Sequence, residues 1–191
     1  MNIWELPTLD LAKEILGMKL IHVDDKGTTS GYIVETEAYL GPEDRAAHSF
    51  NNRRTARTEV MYDEAGTIYT YFIYGMHVCF NIVSGPVNKP EAILIRALQP
   101  IEGIEEMKER RVRAKTEIQL TNGPGKLSKA MGFTLSDNGK KMNEENIRIE
   151  EGMRFGPNEI SSGPRIGIQY AAEAVHYPYR FWIKNNPYVS R

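Results

Sequence analysis

An apolar pair, Ile33-Val34, and the run Ala38-Tyr39-Leu40 enclose a polar Glu35-Thr36-Glu37 within residues 31–40, which read as a strand ended by Gly41-Pro42. Val34, Thr36, Ala38 and Leu40 would share a core-packing face, and Ile33, Glu35, Glu37 and Tyr39 would share the other. Residues 18–23 predict a strand before it, joined by a turn at 24–27. Two β-rich runs, 67–73 and 77–84, flank Tyr74, Gly75 and Met76 and predict a hairpin. Residues 92–98 form an apolar strand, and 147–150, 165–169 and 180–184 read as short ones. Helical spacing is confined to a few places. Leu9, Ala12, Ile15 and Leu16 follow Thr8 as N-cap and stop at Gly17. Residues 102–113 have helical composition, and 124–131 predict a helix capped by Asn122 and ended by Gly132. Residues 41–66 are polar and Arg-rich and read as a long loop with a helical turn. Strands outnumber helices without regular alternation, so the fold class is mixed α+β.

Composition narrows the picture. The chain has 191 residues, which suits one domain spanning 1–191 with a core large enough to need no staple. Its single cysteine, Cys79, rules out a disulfide framework or Cys-cluster metal site and fits a reducing cytoplasm. None of His22, His48, His77 and His176 has a second His or Cys at ligand spacing, so no metal is expected. The sequence starting Met1-Asn-Ile-Trp-Glu-Leu-Pro7 has no signal-peptide pattern, and no apolar run is long enough for a membrane span. Net charge is −1, which argues mildly against nucleic acid, yet the charges cluster. Arg45, Arg53, Arg54 and Arg57 form one basic group and Lys108, Arg110, Arg111, Arg113 and Lys115 another, with acids gathered at Glu144, Glu145, Glu150 and Glu151. A basic face on a neutral protein is open to such a chain.

The candidate chemistry sits on the strand carrying Glu35 and Glu37. Side chains two apart on a strand are separated by about 6.6–6.8 Å. That spacing serves an inverting sugar hydrolase, or one general base beside a structural carboxylate. The bland alternative is two solvated carboxylates on an exposed sheet face. Of Tyr69 and Tyr71, which share a face, one can be core. Tyr74 stands at the hairpin turn, where an aromatic gains little from its own fold and can act as a wedge between stacked bases. The run Asn122-Gly123-Pro124-Gly125-Lys126 resembles a phosphate-cradling loop at a helix start, a weak signal beside plain helix capping.

Taken together, these residues resemble the alkyladenine (3-methyladenine) DNA glycosylase family. The likeness runs through Val34-Glu-Thr-Glu-Ala-Tyr-Leu-Gly-Pro-Glu-Asp44, Ala47-His48-Ser49 and Gly66-Thr-Ile-Tyr-Thr-Tyr-Phe-Ile-Tyr-Gly-Met76. It continues through Asn81-Ile82, Leu94-Ile-Arg96-Ala-Leu98, Asn122-Gly-Pro-Gly-Lys-Leu127, Arg165-Ile-Gly167 and Pro187-Tyr-Val-Ser190, in order over nearly the whole chain. It implies one domain with a curved antiparallel sheet and a protruding hairpin. It further implies Glu37 as general base for a water, with Arg96 near that water. Tyr39, His48 and Tyr71 would line a pocket for an extruded base, and Asn81 would narrow its floor against the 2-amino group of guanine. Tyr74, with Met76 beside it, would intercalate, and Arg57, Asn122, Gly123 and Lys126 would touch the DNA backbone. Glu35 would be structural.

The expected partner is damaged double-stranded DNA, acted on by a monomer with no cofactor, no obligate protein partner and no lysine nucleophile. This sequence departs from vertebrate members of the family at Glu59, where they are basic, and at His77, where they have Tyr, and it lacks their long basic N-terminal extension. Two rivals are a carbohydrate hydrolase using both Glu35 and Glu37 and a non-catalytic binder of damaged or single-stranded nucleic acid.

Overall fold

A computed structural model describes residues 2–144 and 146–190 of the chain. Met1, Glu145 and Arg191 lie outside the described residues, so Glu145 of the acidic group is not placed. Among the described residues, eight antiparallel strands form one curled sheet, with four short helices and several 3-10 turns around it. The mixed α+β class is therefore the observed one. Among the described residues, no helix is long and apolar enough to cross a membrane.

The strands are β1 (Lys19–Asp24), β2 (Gly27–Tyr39), β3 (Ile68–Ile73), β4 (His77–Ser84), β5 (Glu91–Glu102), β6 (Ile147–Glu150), β7 (Ile160–Gly163) and β8 (Arg180–Ile183). Their main order is β3-β4-β5-β2-β1-β6. β2 also pairs with β8 over Glu35 to Glu37, beyond the segment that pairs with β1, and β7 hangs on β8. The long β2 is thus the organising strand, held by three partners. The helices are α1 (Thr8–Glu14), α2 (Ile104–Arg110), α3 (Ile118–Thr121) and α4 (Pro124–Met131).

The alternation expected along β2 is broken once. Ile33 pairs with Leu98 and Glu35 with Ala97, so Val34 is an extra residue in β2. Thr36 then pairs with Ile95, so Arg96 is an extra residue in β5 and the register recovers. Such paired bulges re-aim side chains without displacing the rest of the ladder. Ile33 therefore joins Val34 and Ala38 in the core, correcting its predicted place beside Glu35. Thr36 turns its hydroxyl onto the Ala12 carbonyl of α1 at 2.8 Å, which docks that helix on the same face.

Several local expectations change. Thr8 is the first helical residue, not the cap: Pro7 precedes the helix, and the Thr8 hydroxyl is spent on Ser84 and Glu91. Gly123, not Asn122, stands before α4, and the Asn122 side chain accepts a hydrogen bond from Lys126 Nζ at 2.9 Å. Residues 165–169 form no strand, because Arg165 is drawn inward by a buried ion pair and Gly167 takes a φ of 78°. β7 and α3 were not expected; both are four residues long, too short to show a period. The 41–66 loop holds three 3-10 turns, Gly41–Glu43, Phe50–Asn52 and Glu59–Tyr62.

Candidate active site

A cavity of about 370 Å³ opens between β2, the β3–β4 hairpin, β5, the 41–62 loop and the segment from Ile166 to Tyr170. That is at the small end of the range for ligand pockets, about 300–1,000 Å³. Of the residues singled out from sequence, it gathers Glu37, Tyr39, His48, Arg57, Tyr71, Tyr74, Asn81 and Arg96. A larger open depression of about 810 Å³ follows α1 and residues 151–162, where the exposed ions pair with one another, Lys13 with Asp10 and Arg154 with Glu151.

Glu37 is fully buried, which overturns the solvated-carboxylate alternative. Its Oε1 accepts the Ile166 backbone N–H at 2.7 Å and lies 3.3 Å from an Arg96 nitrogen. Its Oε2 accepts the Tyr39 hydroxyl at 2.8 Å. A carboxylate offers about four acceptor sites, so two hydrogen bonds and the Arg96 ion pair leave Glu37 acceptor capacity for a further donor. Burial, followed by the negative charge of Glu37, holds the Tyr39 phenol well above its ordinary range, so it stays a donor.

Glu35 is equally buried but differently used. It is bound by Arg96 Nε at 3.0 Å, by Arg180 at 3.1 Å, and by the Ser190 backbone N–H and hydroxyl at 2.7 and 2.9 Å. Three of these donors meet Oε1 and one meets Oε2, and Glu35 does not line the cavity, so it is not placed to activate a water there as the two-carboxylate sugar-hydrolase alternative requires. Burial disfavours the Arg96 charge, but Glu37 and Glu35 outweigh it and raise the guanidinium above its usual value.

The pocket walls are aromatic. His48 meets Tyr71 edge-on with ring centroids 4.6 Å apart, and Tyr71 leans on Tyr69 at 5.3 Å. Tyr69 is buried in a small cluster with Met61, Val83 and Ala92, while Tyr71 is only partly covered. The period-two ambiguity thus resolves with Tyr69 as packing. Tyr69 also fixes His48 through a 3.0 Å bond between its hydroxyl and Nδ1. Burial, with Arg57 and Arg53 nearby, pushes His48 down to about 4, so its ring is neutral at pH 7. Asn81 sits on β4 directly opposite Tyr69 and donates its amide to the Tyr69 carbonyl at 3.0 Å.

At the mouth, the Arg57 guanidinium covers the Tyr71 ring at 4.8 Å. The hairpin tip stands free: Tyr74 is 83% and Met76 74% exposed. Met76 does not line the cavity. Tyr74 has a φ of 52°, an unusual conformation for a bulky residue, which a three-residue turn forces on it. Asn122, Gly123 and Lys126 also lie outside the lining; Pro124 reaches it. α4 starts beside the hairpin base, with Gly125 so near His77 that a Cβ would sit 2.9 Å from the His77 Cβ.

The basic groups are less free than their sequence suggests. Arg45 pairs with Glu173, Arg54 with Glu59, Lys108 with Glu105 and Arg110 with Asp24. Arg53 and Arg57 have no carboxylate partner among the described residues; Arg57 lines the cavity, and both act through their charge on His48.

Sequence reasoning missed the support behind Tyr39. Arg165, buried, grips Asp44 with two hydrogen bonds of 2.5 and 2.7 Å and donates to the Ala38 carbonyl at 2.8 Å. Its guanidinium lies between Tyr39 and Tyr179, 4.7 and 5.2 Å from the ring centroids. Anchoring Arg165 also sets the next residue, Ile166, whose N–H meets Glu37. Both Asp44 and Arg165 stand inside motifs quoted above, but nothing local marks them as partners. Tyr170, tied through its hydroxyl to the Ala46 carbonyl at 3.2 Å, was missed as part of the rim.

Residues 2–187 match the family model described as methylpurine-DNA glycosylase. Among curated proteins, the chain is similar to ones named "Putative 3-methyladenine DNA glycosylase" in three Bacillus species. Identity is 50% to that of Bacillus cytotoxicus, covering 98% of this chain and 97% of the relative. It is 49% to that of Bacillus cereus, over 100% and 97%, and 51% to that of Bacillus licheniformis, over 100% and 95%. A match over nearly the full length, on a sheet that carries the motif residues into one pocket, has one consequence: the chain belongs to the methylpurine-DNA glycosylase family.

Proposed function

We propose that this chain excises damaged purines from duplex DNA, hydrolysing the N-glycosidic bond and leaving an abasic site. The observation that carries the reading is a buried carboxylate, Glu37, with acceptor capacity to spare, at the end of an aromatic pocket whose mouth is edged by an exposed hairpin. A base inside a duplex is out of reach of a pocket, so it must be flipped out, which costs a few kcal/mol and least for a damaged base. Stacking on an aromatic contributes about 1–3 kcal/mol per base. Tyr39 and Tyr71 or His48 embrace the extruded base, while Tyr74 fills the gap left in the duplex. Asn81 stands at the pocket floor, where it obstructs the 2-amino group of normal guanine.

Water held by Glu37 and Arg96 attacks C1′. Its proton passes to Glu37, a new C1′–O bond forms, and the electron pair of the glycosidic bond departs with the base. A cationic alkylated purine leaves as a neutral base and needs no proton; a neutral lesion such as hypoxanthine needs one supplied to the leaving ring. General base catalysis contributes about 10²–10⁴-fold. Among the described residues, the cavity lining contains no lysine, which supports a monofunctional enzyme that does not nick the strand. Arg57 and Arg53, with the segment carrying Asn122, Gly123 and Lys126, meet the phosphates. The 1–191 span acts as one domain and as a monomer.

The test is base release from duplexes bearing hypoxanthine or 3-methyladenine-type damage, beside undamaged duplex. Lesion-specific release by the natural sequence, lost in Glu37→Gln with binding retained, is the expected result. Absence of release from every lesion by folded protein would overturn the reading.

A further inference from the structure

Building on that reading, we infer that Glu35, Arg180 and Ser190 are positioning residues that hold the Arg96 guanidinium in the one orientation that faces Glu37. Arg96 occupies an extra position of β5, where no opposing residue of β2 constrains it through the ladder. An unconstrained guanidinium on a bulge has rotational freedom, yet this one is held at three edges. Its Nε goes to Glu35 at 3.0 Å and one terminal nitrogen to the Ser190 hydroxyl at 3.2 Å. Only the other terminal nitrogen remains, and it lies 3.3 Å from Glu37.

The Glu35 carboxylate is itself immobilised. Arg180 of β8 holds one oxygen at 3.1 Å and the Ser190 N–H holds the other at 2.7 Å. The Ser190 hydroxyl closes the ring, accepting from Arg96 and donating to Glu35 at 2.9 Å. Two carboxylates and two guanidiniums leave the buried cluster neutral. If Glu35 were only ballast for a buried arginine, one carboxylate contact would suffice. The doubled use of Ser190, far along the chain and through both backbone and side chain, fixes a direction as well as a charge. Planar guanidinium groups reward such geometry, because each nitrogen has a set place.

Two variants and two readouts test this. Ser190→Ala removes the bridging hydroxyl and keeps the backbone N–H; Glu35→Gln keeps the shape and removes the charge. Single-turnover excision of a hypoxanthine duplex should fall on the order of tenfold in Ser190→Ala. It should fall by about 10²-fold in Glu35→Gln. Duplex affinity should be unchanged in both, and Ser190→Thr should restore the rate. Independently of any activity, 15N NMR of the Arg96 Nε–Hε group should show restricted guanidinium rotation in the natural sequence and faster rotation in Ser190→Ala. If Glu35→Gln does not fold, Ser190→Ala carries the test alone. Unchanged guanidinium dynamics in Ser190→Ala would overturn the inference even if excision fell through lost stability. An enzyme inactive on every lesion, with the expected NMR change, would instead sink the functional reading and leave the positioning network standing.

Discussion

The inner end of the pocket and the tip of its hairpin are built on opposite rules. At the inner end, Glu35, Glu37, Arg96, Arg165 and Asp44 are buried, and each charge is met by an opposite charge and by hydrogen bonds. At the tip, Phe72, Tyr74 and Met76 expose 51, 83 and 74% of their surface, and a Cβ added at Gly75 would meet nothing within 4 Å. The inner end spends its contacts on holding geometry, because a charged site performs only if its dipoles are fixed before the reaction. The tip withholds its contacts, leaving apolar surface for a partner, and even accepts backbone strain at Tyr74. Substitutions should therefore separate cleanly: those within harm chemistry or folding, those at the tip harm binding alone.

The largest expected effect is at the inner end. Glu37→Gln should lower excision by about 10²–10⁴-fold while lesion binding persists. A variant with natural turnover would remove Glu37 from the mechanism and with it the chemical half of the contrast. Next comes Asp44→Asn, which leaves the buried Arg165 charge facing a neutral partner. Breaking a buried pair from one side costs about 3–5 kcal/mol, readable as a lower urea midpoint. A loss below 1 kcal/mol would show that Arg165 is solvated or paired otherwise.

At the tip, Tyr74→Gly should weaken lesion-duplex binding by about 1–3 kcal/mol, the worth of one base–aromatic contact. Melting temperature should hold or rise, since glycine accepts a positive φ freely. A marked loss of stability would make Tyr74 a packing residue and erase the comparison. The smallest effect concerns His48. Its proton affinity in the fold is reduced to about 4, from an ordinary 6.5. Below pH 6.5 the unfolded chain takes up a proton that the folded one refuses, so stability falls as pH drops from 6.5 towards 4. Urea titrations at pH 7 and 4.5 should show this fall shrink in His48→Asn; an equal fall in both proteins would mean that other groups carry it.

Much of the molecule was written locally. The runs that became β4 and β6 keep their predicted bounds, and α4 ends at Gly132 as expected, with that glycine in the left-handed region at a φ of 80°. The hairpin with Tyr74 at its turn and the adjacency of Glu37 and Tyr39 on one strand face were equally legible. These features depend on residues a few positions apart, through strand period, turn chemistry and glycine's tolerance of positive φ. The family itself was legible too, because its motifs lie in order along the chain.

What tertiary structure decided is how those pieces are held. The partner of Arg165 is 121 positions away, the N–H that meets Glu37 comes 129 positions later, and Ser190 reaches Glu35 across 155. The two cancelling bulges at Val34 and Arg96 exist only once β2 and β5 pair, and neither strand read alone shows where they fall. Whether two carboxylates face water or are buried among arginines is likewise invisible in Glu-x-Glu. Local sequence specifies which conformations a segment prefers, whereas desolvation and ion pairing depend on which distant segments the fold brings together.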